Sequence, residues 1–371
     1  MKKSECKKVL ITASNWTHVK NFHLPYIKKF HELGWTVHVA CAGVPEKVPY
    51  ADEVFSLPFQ KKIFSLKNFQ ASAILRKKYK AERYGLIITH TSLAAFFTRL
   101  AVKNIKLKSE TKLINTVHGY LFDDCTNKIK RAVFLAAEKI TRPETDLLLL
   151  MNDYDYKLAL KYKLAKKISK IPGIGADFSR LKNFSERDRE ILRQKFKIPL
   201  DSIVLIFAAE FSARKNQKFL INVMKKLPEN IFLILPGTGI LLNECKILTE
   251  KLNLSDRIIF PGFSENVGSF YNFADIAVSS SRSEGLPFNI LEAMYMNLPV
   301  VASAVKGHTD LLEDLDGAKL FPFNDEEKCA ECIKFFADKI TKKNLIVKNR
   351  EFTEKYSLSS VLPEVMNLFL D

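Results

Sequence analysis

The amino-acid sequence predicts an α/β protein made of two doubly wound, parallel-sheet domains. Three observations carry that prediction. Short and almost wholly apolar runs recur along the chain, among them VLITA (9–13), VLIFAA (204–209) and IAVSS (276–280). Between them lie longer segments whose apolar residues return every three or four positions. The alternation pauses in a charged stretch after residue 175 and then starts afresh. Runs apolar on both faces, separated by amphipathic helices, belong to parallel strands covered by helices on both sides.

Taken in order, KKVLITAS (7–14) is the first strand. HLPYIKKFHELG (23–34) is a helix with Tyr26, Ile27, Phe30 and Leu33 on one face and Gly34 as its stop. WTVHVACA (35–42) is the next strand, which completes a βαβ unit. GLIITH (85–90), KLINTVHG (112–119) and TDLLLLM (145–151) continue the series. After the charged helix FSERDREILRQKFKI (184–198), SIVLIFAAE (202–210) opens the second series. A helix expected at 215–227 places Phe219, Leu220, Val223, Met224 and Leu227 on one face. NIFLILPG (230–237), RIIFPG (257–262), DIAVSS (275–280) and LPVVAS (298–303) are further strands. The expected domains are 1–182 and 183–352. The last helix, VLPEVMNLFL (361–370), has no strand after it, and the segment from about 353 to 371 is expected to pack back on the first domain.

A chain of 371 residues that is 47% hydrophobic with 28 Phe has ample material for two cores. No apolar run approaches the roughly 18 residues that cross a bilayer. The charged start and the short run after it do not resemble a secretion signal, so a cytoplasmic location is expected. The six cysteines are expected to be thiols there. Cys329 and Cys332, in CAEC, read as packing residues of a helix capped by Asn324 or Asp325, since no second pair completes a zinc set.

Charge is uneven. Residues 1–182 carry 34 Lys and Arg against 15 Asp and Glu, whereas residues 183–371 carry 24 against 26. Lys61, Lys62, Lys67, Arg76, Lys77, Lys78, Lys80 and Arg83 crowd one segment, with Phe59, Phe64 and Phe69 among the earlier ones, and a second basic run spans 161–170. Such a face is either a solvated lysine-rich surface or a site for anionic lipid. Nucleic acid is not expected, because no groove-binding motif or stacking platform accompanies the charge.

The segment SEGLPFNILEAMYMNLPVVAS (283–303) holds the chemistry. Open α/β sheets bind ligands beyond the carboxyl ends of their strands, and residues 281–291 follow such an end. Pro287 suits a first helical turn. The N–H groups of Phe288, Asn289, Ile290 and Leu291 then offer an anion site on the helix dipole. Glu292 lies just over one turn in, where a carboxylate accepts hydrogen bonds from a ribose diol. Glu284, with Gly285 beside it, reaches a sugar next to the phosphate. On spacing alone, a solvated loop acid and a capping acid explain the pair equally well.

Other motifs fall away. Asp153 and Asp155 form a D-x-D but stand at a helix start, with Asn152 or Asp153 as cap. PGTGILLNE (236–244) lacks the third glycine of a dinucleotide fingerprint, and no P-loop is present.

The spacing Glu284–x7–Glu292 in SRSEGLPFNILEAM resembles the E-x7-E motif of the retaining glycosyltransferases of family 4, of the GT-B fold. NTVHGYLF (115–122), IPGIGADFSRL (171–181), FAAEFSARKNQKFLI (207–221) and VKGHTDLLED (305–314) resemble further segments of that family, so the likeness spans the chain. The last is of the type found in its bacterial exopolysaccharide members. The resemblance implies two Rossmann-like domains facing a central cleft, with the nucleotide-sugar held mainly by the second. It implies that Lys215 pairs with the diphosphate, that residues 288–291 give backbone N–H groups to it, and that Glu292 takes the ribose. Glu284 then stands near the donor sugar and His118 near the reacting centre. Many members carry an arginine where this chain has Glu210. Arg214 is the candidate replacement, and a solvated arginine at a helix start is the alternative.

The expected activity is therefore a metal-independent, retaining transfer needing no cofactor. The sugar moves from a UDP-linked donor to a lipid-linked glycan acceptor at the inner face of the membrane, in cell-surface polysaccharide synthesis. Front-face transfer and covalent double displacement both remain open. A nucleotide-sugar epimerase of the same fold and a basic membrane- or nucleic-acid-binding adaptor are the rival readings.

Overall fold

The computed structural model describes every residue except 1–5, 61, 63, 107–109, 125, 182–184 and 342–347. Lys61, Cys125, Phe184 and the expected junction at 182/183 thus lie outside the described residues. The chain divides into two compact units: Met1–Ile174 with Val361–Asp371, and Gly175–Ser360.

The first unit holds strands β1 (Lys8–Asn15), β2 (Thr36–Ala42), β3 (Glu53–Ser56), β4 (Leu86–His90), β5 (Lys112–Val117), β6 (Leu147–Leu150) and β7 (Lys167–Lys170). They form one sheet in the order β3-β2-β1-β4-β5-β6-β7, with every pair parallel. The register sets Ile11 beside Val39 on one side and Ile88 on the other. The central strands are buried along all but their ends because helices cover both faces. Phe59, expected on the basic surface, is buried in the core with Leu10, Leu75 and Phe97. The helix Leu358–Leu370 sends Val361, Val365, Met366 and Phe369 into the first unit. Phe369 stacks on Phe30 with centroids 6.1 Å apart, and Lys112 Nζ donates to the carbonyls of Leu368 and Phe369.

The second unit holds β8 (Ile203–Ile206), β9 (Ile231–Pro236), β10 (Ile258–Gly262), β11 (Ile276–Ser279), β12 (Val300–Ser303) and β13 (Ala318–Phe321). Their order is β10-β9-β8-β11-β12-β13, again all parallel. Alternate residues feed two cores, Leu205, Leu233 and Val301 on one face and Val204, Ile234 and Val300 on the other. Asp275 ties the start of β11 to its surroundings. It accepts from Arg189 at 2.5 Å, from Arg193 at 2.7 Å and from the Val204 N–H at 2.7 Å. Cys329 and Cys332 are buried, unpaired thiols in the helix Glu326–Thr341, whose first turn Asp325 caps through the Lys328 N–H.

Both sheets reverse direction of build between their first and fourth strands, at β1/β4 and at β8/β11. Those are the switch points at which open α/β sheets place ligands.

Candidate active site

At the switch point of the second unit, β8 leads into the turn 212–216. The Lys215 and Asn216 N–H groups both donate to the Ser212 carbonyl at 3.1 Å. The helix starts only at Gln217, two residues later than expected, so Lys215 sits on the turn. Ser280, just past β11, donates to the carbonyls of Lys215 and Asn216 at 3.0 and 2.9 Å, and the Arg282 N–H donates to the Arg214 carbonyl at 2.8 Å. These bonds hold the two loops side by side. Lys215 Nζ reaches Glu284 Oε1 at 2.6 Å, and Arg214 Nη1 reaches Glu284 Oε2 at 2.6 Å. One buried carboxylate is therefore shared by two cations.

Burial alone would raise the Glu284 carboxyl, but Lys215 and Arg214 outweigh it and bring it down to about 2. Burial lowers Lys215 from its usual value, against Glu284 and the exposed Glu210. An ammonium 2.6 Å from a carboxylate this acidic keeps its charge. Arg214 is 48% exposed along its side chain, so it faces both Glu284 and solvent.

The loop carrying Glu284 is braced from behind. The Glu284 N–H donates to the Lys306 carbonyl at 3.3 Å. Gly307 has φ of +80°, and a Cβ there would lie 2.7 Å from the carbonyl oxygens of Glu284 and Gly285, so only glycine permits the approach. His308 is buried, with Nδ1 2.8 Å from the Ser303 carbonyl and Nε2 3.3 Å from Ser279 Oγ. Burial lowers its imidazole to about 4.

Pro287 is the N-cap of the helix Phe288–Tyr295, one position earlier than the expected first turn. The N–H groups of Ile290 and Leu291 both close on the Pro287 carbonyl at 3.1 Å, which corrects the expectation that they face an anion. Phe288 and Asn289 stand ahead of them at the helix start. Glu292 is buried one turn in. It accepts from Arg180 Nη2 at 2.5 Å and from the Tyr271 hydroxyl at 3.3 Å. Burial raises its carboxyl, with Arg180 opposing. Sequence reasoning missed Arg180, Tyr271 and the bracing role of His308. The first two lie 112 and 21 residues from Glu292 along the chain, and no spacing rule joins them to it.

The PGTG segment makes no dinucleotide turn. Its Gly239 lies against the loop after β8, where a Cβ would meet the Phe211 carbonyl at 2.4 Å. Asn152 caps the helix Asp153–Tyr162, and Asp155 is turned inward to accept from the Tyr120 N–H at 2.9 Å. Asp153 pairs with Lys170.

In the first unit His118 follows β5 at the other switch point, partly exposed among three further imidazoles. His90 Nδ1 is 3.2 Å from His118 Nε2, and His18 meets His118 edge-on at 4.6 Å between centroids. Burial, then the neighbouring His18 and His90, hold His118 well below the usual histidine value.

Comparison with known proteins fixes the class. A family profile described as Glycosyltransferase Family 4 matches residues 26–173, and one described as Glycosyl transferases group 1 matches residues 188–352. EpsD of Bacillus subtilis (strain 168), named as a glycosyltransferase, is 32% identical over 332 residues, covering 88% of this chain and 87% of that protein. The chain belongs to the glycosyltransferases. This glycosyltransferase is also 24% identical over 321 residues to the UDP-Gal:alpha-D-GlcNAc-diphosphoundecaprenol alpha-1,3-galactosyltransferase of Escherichia coli, covering 82% of this chain and 80% of that one. Its fold matches Anabaena Alr3699/HepE, solved with UDP and glucose, at a TM-score of 0.78 and 18% identity over 97% of this chain and 98% of that one. The glycosyltransferase has the GT-B type of architecture, two Rossmann-like parallel-sheet domains.

Of the basic surface residues in the first unit, Lys67, Lys77 and Lys80 are exposed along the helix Leu66–Glu82. Lys78 instead pairs with Glu53 and Glu82, and Arg76 donates to the carbonyls of Ala101 and Lys103. Phe64 and Leu66 are 78% and 84% exposed beside them, and Phe69 is half exposed. Among the described residues no helix is long and apolar enough to cross a membrane.

Proposed function

We propose that this glycosyltransferase moves a sugar, with retention of anomeric configuration, from a UDP-linked donor to a lipid-linked glycan acceptor in cell-surface polysaccharide synthesis. The observation that supports the donor site best is the Lys215–Glu284–Arg214 cluster beyond the carboxyl ends of β8 and β11. Without donor, Glu284 holds both cations at the place where a diphosphate belongs. The donor's phosphates then take over the cations as charge-assisted partners. Glu284 is released toward the sugar, and Glu292, steadied by Arg180 and Tyr271, accepts from the ribose hydroxyls. Phe288 and Asn289 at the helix start add dipole and N–H contacts to the phosphate.

On this reading the anomeric carbon–phosphate oxygen bond breaks as the acceptor oxygen bonds to the same face of that carbon. The acceptor proton passes to the departing diphosphate. Lys215 and Arg214 stabilise the charge that grows there, a fixed-dipole contribution that usually dominates such transfers. No step calls on a metal ion. Within the first unit His118 is assigned to the reaction, and the helix Leu66–Glu82, with Phe64, is assigned to an anionic membrane surface.

Two likenesses support the choice of donor and acceptor. The galactosyltransferase relative is named for a UDP-sugar and a diphosphoundecaprenol glycan, and the HepE structure holds UDP. The test is product analysis. The enzyme is incubated with a panel of UDP-sugars and an undecaprenyl-diphosphate-linked saccharide, and the new linkage is read by NMR. An α linkage from an α-linked donor supports retention. Inversion, or turnover only with water-soluble acceptors, overturns that part of the reading.

A further inference from the structure

Four of the chain's seven histidines meet at the switch point of the first unit, yet only His118 has a place in the reaction proposed above. Asn15, the last residue of β1, caps the helix Trp16–Phe22 by accepting from the His18 N–H at 2.8 Å, which fixes the turn that carries His18. His23 is fully buried at the joint between that helix and the helix Leu24–Glu32. His18 Nδ1 lies 2.9 Å from His23 Nε2. His18, His23 and His118 each bring one ligand atom within 4.8 Å of the others, and among the described residues no other three His, Cys, Asp or Glu side chains gather in this way.

We propose that His18, His23 and His118 form a binding site for a zinc-class divalent transition ion, with one coordination position left to water or a ligand oxygen. Three imidazoles and no carboxylate select zinc, cobalt, nickel or copper over magnesium, calcium or manganese. Tetrahedral Zn–N bonds of about 2.0–2.1 Å require nitrogens about 3.3 Å apart. The His18–His23 pair opens slightly from 2.9 Å, and the third nitrogen closes from at most 4.8 Å. The proton now shared between His18 and His23 moves to the far nitrogen of its own ring, so no net charge is displaced. His90 completes the arrangement from behind. It stacks on His23 at 3.8 Å between centroids and bonds His118 at 3.2 Å, the kind of outer support that orients ligating imidazoles.

The ion is an inhibitor here. It occupies His118, and this consequence rests on the proposed role of His118 in transfer. The protein carries an exposed thiol at Cys6, so the experiment uses the full chain with Cys6→Ser, stripped with EDTA. Zinc is titrated against a chromophoric chelator, and cobalt binding is followed by its visible absorption. The expected result is one ion per chain and a tetrahedral cobalt spectrum. His18→Asn and His23→Gln should each weaken binding by about tenfold or more, at least the roughly 10- to 100-fold lost with an outer partner of a ligand, whereas the exposed His31→Asn should not. Should His23→Gln fail to fold, the partly exposed His18 carries the test alone. No stoichiometric zinc binding, or unchanged binding in His18→Asn, overturns the site. Zinc binding that leaves transfer undiminished upholds the site and overturns the role of His118.

Discussion

Replacing Lys215 by methionine keeps the stem and removes the charge, and the shared carboxylate lets the consequences be worked out. Glu284 now has two cations at 2.6 Å; the variant leaves it Arg214, which is half in solvent. An uncompensated buried charge costs about 3–5 kcal/mol, and the remaining arginine reduces that to about 1–3 kcal/mol. For a domain of this size that lowers Tm by roughly 2–4 °C per kcal/mol. The lost phosphate contact weakens UDP binding about 10- to 100-fold, the worth of a charge-assisted hydrogen bond. It also reduces kcat about 10²- to 10³-fold, the worth of one donor to developing charge.

The acid side offers a check. Glu284 in the folded state titrates at about 2 rather than 4.5, so its stabilisation is present above pH 4.5 and is lost as pH falls from 4.5 towards 2. The drop corresponds to on the order of 3 kcal/mol, part of it offset by the cost of burying Lys215. Adding Glu284→Gln to Lys215→Met should restore Tm but not turnover. Calorimetry, UDP titration and initial rates decide the matter. Unchanged UDP affinity together with unchanged kcat would mean that the diphosphate binds elsewhere, and an unchanged Tm would mean that the pair is not coupled.

Four further outcomes are expected. Glu292→Gln should weaken UDP about tenfold by blunting the ribose acceptor, while Glu284→Gln should retain or gain UDP affinity and lose turnover; equal losses of affinity would remove the division of roles. Transfer should survive EDTA, and activity lost on chelation but restored by manganese would contradict the cationic account of the diphosphate site. The protein should float with anionic but not neutral vesicles and be released by salt, at about 1 kcal/mol per basic contact; Lys67→Glu with Lys77→Glu and Lys80→Glu should reduce flotation without changing UDP affinity, and flotation that ignores lipid charge would remove the membrane assignment. His308 is held neutral by burial at about 4 against the usual 6.5, so its contribution to the second unit is intact above pH 6.5 and falls away between 6.5 and 4, by up to about 3 kcal/mol; an urea series in His308→Gln should lose that slope.

The sequence showed the interior of both sheets and little of their edges. Runs such as IVLI and VVAS are buried on both faces, so they read as almost unbroken apolar stretches. β3, β7 and β13 escaped notice because EVFS, KISK and AKLF are at least partly exposed along most of their length and read as loop or as basic surface. Glu284 and Glu292 were legible from the strand end and helix start that flank them, and Lys215 through the family resemblance. What was not legible is which strand ends adjoin. The pairing of Glu284 with Lys215 across 69 residues depends on β8 neighbouring β11, and the meeting of His18, His23, His90 and His118 depends on β1, β4 and β5 lying side by side. Periodicity reports burial and says nothing of neighbours. The backbone bonds of Ile290 and Leu291 escaped because the free N–H groups of a helix end within its first turn: Leu291 bonds the Pro287 carbonyl four residues back, and Ile290 closes a tighter bond on the same oxygen.

The helix that ends the chain sets a timetable for synthesis. Phe369, Met366 and Val365 belong to the core of the first unit, but 186 residues of the second unit are made between Ile174 and Val361. At about 5–20 residues per second a ribosome takes roughly 10–40 s over that interval. Through it the face of Tyr26 and Phe30 that Phe369 covers stays open to water, and the carbonyl caps from Lys112 are unmade. The half of the molecule translated first is therefore the half completed last. The nascent protein carries an apolar seam for the whole time its second domain is being built, and a ribosome that stalls within that domain releases a first domain with its core uncovered.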